Sequence, residues 1–98
     1  MEEKQTSEKI ADLLTSLNTL LQTKNQRYGD SMQKPVNVFV KEADRLDNSL
    51  AIRKRLDEKL SRIANSDSLR KNDVVDTMGY LVLLCVENNW TNFDDLID

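Results

Sequence analysis

Apolar residues recur at helical spacing in several stretches of this chain. In the stretch Thr6–Leu21, leucine or isoleucine recurs at intervals of three or four residues, with polar residues on the opposite side. The same spacing continues through Val36–Leu46 and Leu50–Ile63. The stretch Asn72–Glu87 is apolar almost all round, which predicts the central and most buried helix.

Polar segments separate these patterns and indicate where helices begin and end. Thr6 or Ser7 is a candidate cap for the first helix, and "DNS" at 47–49 either interrupts the second pattern or caps it again. The stretch "KNQRYGDSMQKP" at 24–35 has no apolar period, and Gly29 lies in turn chemistry. We therefore expect a loop from Lys24, with Pro35 in the first turn of the next helix.

Composition narrows the fold to the all-α class. Among 98 residues there are only two glycines and one proline, and about a third of the chain is charged. We predict one helical domain over residues 1–98, a small antiparallel bundle of three main helices with a short C-terminal helix. A chain of this length buries a small core, so a homo-oligomer is expected. The first apolar stripe approaches heptad spacing and packs either within the protomer or against a partner chain.

Two further features complete the predicted bundle. Gly79 inside the central helix costs about 1 kcal/mol against alanine, which indicates close backbone packing there.

"TNFDDLID" begins with the T-x-x-D form of a capping box at Thr91. We expect it to open a terminal helix whose apolar residues cover the end of the bundle: Trp90, Phe93, Leu96 and Ile97.

Charge and residue types exclude several functions. The net charge of −3 offers no general attraction to long nucleic acid, although a local basic cluster can bind one small phosphorylated ligand. No apolar run approaches the roughly 20 residues of a membrane helix, and no signal peptide is visible, so we expect no membrane association and a cytoplasmic location. Histidine is absent and Cys85 lies in an apolar run, so zinc sites and Ser-His-Asp arrangements have no candidates.

Candidate ligand-binding side chains fall into three groups. On the central helix, Asp73, Asp76 and Tyr80 share one face by their steps of three and four. The other groups are a charged stripe on the preceding helix and the residues of the loop: Arg55, Glu58, Lys59 and Arg62, then Lys24, Arg27, Tyr28, Gly29 and Asp30. If the two helices pack antiparallel, as their short connector indicates, the stripe meets Asp73 and Asp76.

These groups have two interpretations. In the first, the stripes form interhelical ion pairs or a solvated flank, and the loop is a capped turn with Tyr28 anchored on the bundle. In the second, they line a cleft. Its Arg and Lys side chains hold phosphate, Tyr stacks on a base and the glycine admits a ligand close to the main chain.

Two D-x-x-D pairs, Asp44–Asp47 and Asp73–Asp76, each place two carboxylates on one helix face, which suits Mg²⁺. The pattern resembles the E-x-x-E…E-x-x-D signature of the all-α MazG-like nucleoside triphosphate pyrophosphohydrolases. Aspartate stands at three positions where that family has glutamate, so these side chains reach less far. Mg²⁺ is thus the candidate cofactor, with Asp73 and Asp76 as its ligands, helped by Glu58 or Asp47.

A wider resemblance joins the segments "KNQRYGDS", "IRKRLDEKLSRIAN" and "NDVVDTMGYLVLL". In this order they resemble the family called nucleotide modification associated domain 1, which is common in bacteriophage and prophage genomes. The resemblance covers about residues 20–87 and marks every member of the three groups of candidate ligand-binding side chains except Arg27. It implies a nucleotide ligand without a defined reaction. The chain departs from that pattern at Glu58, where aspartate is usual, and at Gly79, where an amide is common.

The resulting prediction is a phage-type protein that binds a phosphorylated nucleotide in the bacterial host cytosol. Three alternatives stay open: an anti-defence protein that sequesters a nucleotide signal, a Mg²⁺-dependent pyrophosphohydrolase-like enzyme, and a helical adaptor that binds a host protein through the apolar stripe of its first helix. The missing glutamates favour binding over catalysis.

Overall fold

The chain is α-helical, as the sequence predicts. The computed structural model describes residues 4–28 and 48–97. Over these ranges it contains three α-helices and no strand: α1 (Thr6–Tyr28), α2 (Asn48–Asn65) and α3 (Lys71–Glu87). The all-α class is confirmed. The predicted helix at Val36–Leu46 lies outside the described residues.

Helix α1 continues beyond the point where its apolar pattern stops. Lys24, Arg27 and the backbone of Tyr28 belong to its last turns, so the prediction of a loop beginning at Lys24 was wrong. Loss of apolar periodicity does not end a helix, because lysine, glutamine and arginine have high helix propensity. Arg27 also lies in the last turn, where a cation interacts favourably with the helix dipole. The first strong helix breaker in the sequence is Gly29, directly after α1.

Helices α2 and α3 form the antiparallel pair that their short connector predicts. Near the start of α2, Asn48 Nδ2 donates a hydrogen bond of 3.0 Å to Glu87 Oε2 at the end of α3. Further along α2, Lys59 Nζ donates to Asp76 Oδ2, which lies earlier on α3. Residues later in α2 thus pair with residues earlier in α3, as antiparallel packing requires. The two helices contact each other far more extensively than α1 contacts α3.

The described core lies between α2 and α3. Ile52 is fully buried and Leu56, one turn later, is 7% exposed. Helix α3 is central, since it contacts both other helices. It is not buried all round, however, because Leu81 and Val86 remain 49% and 44% exposed.

Helix α1 packs on α3 at Gly79. A Cβ atom built on Gly79 would lie 3.1 Å from Leu21 Cδ2, so the predicted close packing at this glycine is confirmed. The first half of α1 remains exposed on its apolar side, where Ile10, Leu13 and Leu14 are each about half accessible. The contact of Leu21 therefore attaches the C-terminal half of α1 to α3.

Helix α3 ends in a Schellman motif. Asn89 has a φ of 58°, in the left-handed region that asparagine tolerates better than most residues. The N–H of Trp90 donates to the carbonyl of Cys85 at 2.8 Å, and the N–H of Asn89 donates to the carbonyl of Val86 at 3.0 Å. This pair of hydrogen bonds satisfies carbonyls that the helix end would otherwise leave open.

The predicted C-terminal helix is reduced to one 3₁₀ turn, Asp94–Leu96. The prediction of a capping box at Thr91 was wrong. The N–H of Asp94 donates to Asn92 Oδ1 rather than to the side chain of Thr91. Helix nucleation is costly, and no residue of this turn is buried to offset that cost. The four apolar residues expected to cover the bundle are all more than half exposed: Trp90, Phe93, Leu96 and Ile97.

Across the described ranges, every helix is too short or too polar to cross a lipid bilayer.

Replacing Ile52 with alanine should lower the free energy of unfolding by about 2–5 kcal/mol, because a fully buried side chain is removed. Leu60→Ala on the same helix is the matched control, since Leu60 is 52% exposed and should cost less than about 1 kcal/mol. Urea denaturation followed by circular dichroism measures both. Equal losses would contradict the placement of the core.

Candidate functional site

A groove of about 400 Å³ opens between α1 and α3 on one side of the Leu21–Gly79 contact. Its lining comes from all three helices: Leu20, Leu21, Lys24 and Asn25 of α1, Arg55 of α2, and Val75, Asp76, Gly79, Tyr80 and Leu83 of α3. The leucines and valine make most of this surface apolar. We call it the cationic groove, for the charges described next.

Four of the predicted ligand-binding residues meet in the cationic groove. Lys24, Arg55, Asp76 and Tyr80 all line it, although they come from three separate segments of the sequence. Their positions follow from two helix contacts. The α2–α3 core places Arg55 beside α3, and the close approach at Gly79 places Lys24 beside Asp76.

Asp76 holds two lysines at the edge of the groove. Its Oδ2 lies 3.2 Å from Lys59 Nζ, and its Oδ1 lies 3.6 Å from Lys24 Nζ. The Lys59 side chain is 18% exposed, whereas that of Lys24 is 46% exposed. Among the residues that the structure describes, Lys24, Lys59 and Arg55 outnumber the single carboxylate of Asp76, which leaves two net positive charges in a chain whose net charge is −3.

The same contact confirms part of the predicted interhelical pairing. The charged stripe of α2 meets Asp76 through Lys59. Glu58 and Arg62 are exposed, make no ion pair with a described residue and do not line the groove. Ile52, Leu56 and Lys59 lie toward α3, and this rotation turns Glu58 away. Arg62 shares a face with Arg55 but lies seven residues, about 10 Å, further along α2.

The remaining predicted site residues lie apart from the groove or outside the described residues. Arg27 is exposed and does not line the groove. Asp73 is only 8% exposed, in the first turn of α3, and its carbonyl accepts a 2.7 Å hydrogen bond from Thr77 Oγ1. The side chain of Tyr28, with Gly29 and Asp30, lies outside the described part of the chain.

The predicted Mg²⁺ ligands are not gathered within residues 4–28 and 48–97. No three side chains of the kinds that bind metals come together in these ranges. Both carboxylate oxygens of Asp76 are directed to lysine ammonium groups, whose positive charge competes with a cation. Asp44 and Asp47 lie outside the described residues, and the Mg²⁺ site stays a prediction.

Sequence reasoning missed part of the groove. Asn25 was assigned to the loop, and Leu20, Leu21, Val75 and Leu83 were assigned to apolar stripes without a ligand role. The spacing Leu21–Asn25, one helical turn, was the available signal, but it required α1 to continue past residue 24.

Comparisons with protein-family models, curated proteins and solved structures find no match to this chain. The resemblance to nucleotide modification associated domain 1 therefore stays a prediction.

Gly79 offers a test of the α1–α3 contact. Gly79→Leu should lower the free energy of unfolding by about 1–3 kcal/mol, because the new side chain enters the space of Leu21. Gly79→Ala is the control: its gain in helix propensity, about 1 kcal/mol, offsets a contact with the movable end of Leu21. Thermal and urea denaturation compare the two. If both variants have the same stability, α1 does not pack at this position.

Proposed function

We propose that this protein binds a phosphorylated nucleotide in the cationic groove, with phosphate on Lys24 and Arg55 and the base against Tyr80. The observation that supports this proposal is the assembly of these residues, from three helices, around one space of about 400 Å³. Small-molecule sites usually span about 300–1,000 Å³ and combine an apolar lining with a few polar groups. The cationic groove has this character.

The phosphate subsite is supported by charge. Arg55 offers a planar guanidinium that can bind phosphate through two hydrogen bonds, and Lys24 adds a second cation from the opposite helix. The Lys24–Asp76 pair is long and half exposed, so it contributes less than about 1 kcal/mol. A charge-assisted hydrogen bond contributes about 1.5–3 kcal/mol, so exchanging Asp76 for a phosphate is favourable at Lys24.

The base subsite is supported by the apolar lining. Tyr80 can stack on any base, and such stacking contributes about 1–3 kcal/mol. Leu20 and Leu83 extend this surface on the two sides of the groove. Because stacking discriminates little among bases, we expect the groove to accept nucleotides with different bases.

The arrangement favours binding over hydrolysis. Metal-dependent phosphate chemistry uses carboxylates to hold cations against the phosphate. Among its described lining residues the cationic groove has one carboxylate, Asp76, and two lysines engage it. A protein that keeps its nucleotide intact agrees with the alternative in which a phage anti-defence protein sequesters a nucleotide signal.

Calorimetric titration with a panel of mononucleotides and cyclic nucleotides tests the proposal. Lys24→Ala and Arg55→Ala should each weaken binding at least about tenfold, since each removes a charge-assisted contact. Lys9→Ala and Arg53→Ala are matched controls, because these exposed residues lie on the same helices outside the groove. The controls should change affinity less than about twofold.

Ligand recovered after heat denaturation of the complex separates binding from turnover. Intact nucleotide is expected. Hydrolysis that requires Mg²⁺ and is lost in Asp76→Asn would favour the enzyme instead. Absence of binding across the panel, or equal losses in Lys9→Ala and Lys24→Ala, would refute the nucleotide site.

A further inference from the structure

Three cations lie close to the carboxylate of Asp76. Lys24 Nζ lies 3.6 Å from one of its oxygens and Lys59 Nζ lies 3.2 Å from the other, although the two lysines come from different helices. Arg55 precedes Lys59 by one turn of α2, which leaves their Cβ atoms about 6 Å apart. A phosphate that binds in the cationic groove beside Asp76 is therefore near all three positive charges.

Two of these cations are accessible to a ligand. The Lys59 side chain is 18% exposed and forms the shorter contact with Asp76, so these two charges stay paired. The Lys24 side chain is 46% exposed, and Arg55 is exposed and makes no ion pair with another described residue. Both line the cationic groove, one on α1 and the other on α2. Lys24 and Arg55 are therefore the two cations that a bound phosphate contacts.

We infer that the cationic groove selects a terminal phosphate monoester over a phosphodiester. This inference rests on the proposed nucleotide site and names the chemical class of phosphate that it takes. A phosphate monoester loses its second proton near pH 6, so it carries close to two negative charges at pH 7. A phosphodiester has no second proton to lose and carries one negative charge, and the same holds for the ring phosphate of a cyclic nucleotide.

The local charge favours the doubly charged ligand. Among the described residues, Lys24, Lys59, Arg55 and Asp76 leave two net positive charges at this site. The Coulomb attraction between these charges and a ligand grows in proportion to the charge of the ligand. Contact with the apolar lining of the groove lowers the effective dielectric constant around the phosphate, which strengthens this attraction. A monoester therefore gains more from the site than a diester does.

The number of unesterified oxygens leads to the same preference. The guanidinium of Arg55 can donate hydrogen bonds to two oxygens of one phosphate. The ammonium group of Lys24 belongs to a different helix and needs an oxygen of its own. A terminal monoester has three unesterified oxygens, whereas a diester has two. The monoester therefore provides separate acceptors for both cations, and the diester does not.

Calorimetric titration of the full chain with the common nucleoside 5′-monophosphates and their phosphate methyl esters tests the inference. Each pair has the same base and sugar and differs by one charge. At about pH 7.5 the monoester should bind at least about fivefold more tightly than its methyl ester. This ratio should fall toward one at about pH 5, because the monoester regains its second proton and loses one charge. The chain contains no histidine, the side chain that most often titrates in this range.

Two substitutions that change the local charge in opposite directions test whether charge causes the preference. Lys24→Gln removes a positive charge and should lower the ratio of the two affinities at least about twofold. Asp76→Asn removes the opposing negative charge with little change of shape and should raise that ratio. Lys9→Gln is the matched control, because Lys9 is an exposed lysine of α1 outside the groove. It should leave the ratio unchanged.

The possible outcomes separate this inference from the nucleotide site on which it rests. Equal affinities for monoester and methyl ester in wild-type protein would overturn the inference and leave the nucleotide site in place. The same holds if only cyclic nucleotides bind, or if Lys24→Gln and Lys9→Gln change the ratio equally. Absence of binding by every monoester, methyl ester and cyclic nucleotide would refute the nucleotide site, and the inference with it.

Discussion

The packing of Ile52 and Leu56 of α2 against α3 is the interaction on which the described structure depends. Ile52 and Leu56 are the most completely buried large apolar side chains among the described residues. It also fixes the rotation of α2. With Ile52 and Leu56 turned inward, Lys59 reaches Asp76, Arg55 reaches the edge of the cationic groove, and Glu58 remains in solvent.

The missing side chain of Gly79 has a comparable effect on α1. Because α3 carries no Cβ atom there, Leu21 approaches its backbone and α1 crosses α3 with a groove on each side. One groove contains cations and a tyrosine, and the other is almost entirely apolar. The two grooves meet at Leu20 and Val75, which line both of them.

Much of the fold follows from local patterns. Helix α3 begins and ends within about one residue of its predicted positions, and so does the end of α2. Their antiparallel packing follows from the short connector, and Gly79 was identified as a close approach. The errors occurred at helix ends. The end of α1 was misjudged because periodicity reports burial rather than helix formation, and the C-terminal helix because a capping motif does not replace packing.

For the candidate site, too, some features follow from the sequence alone and others from the tertiary structure. The sequence by itself determined the residue types, their helical spacing and hence which side chains share a face, since these depend only on backbone periodicity. Only the tertiary structure decided which of those faces meet. Lys24, Arg55, Asp76 and Tyr80 share a groove, while Asp73, Glu58 and Arg62 do not. The reason is that the rotation and the axial position of each helix are set by its contacts with residues distant in sequence.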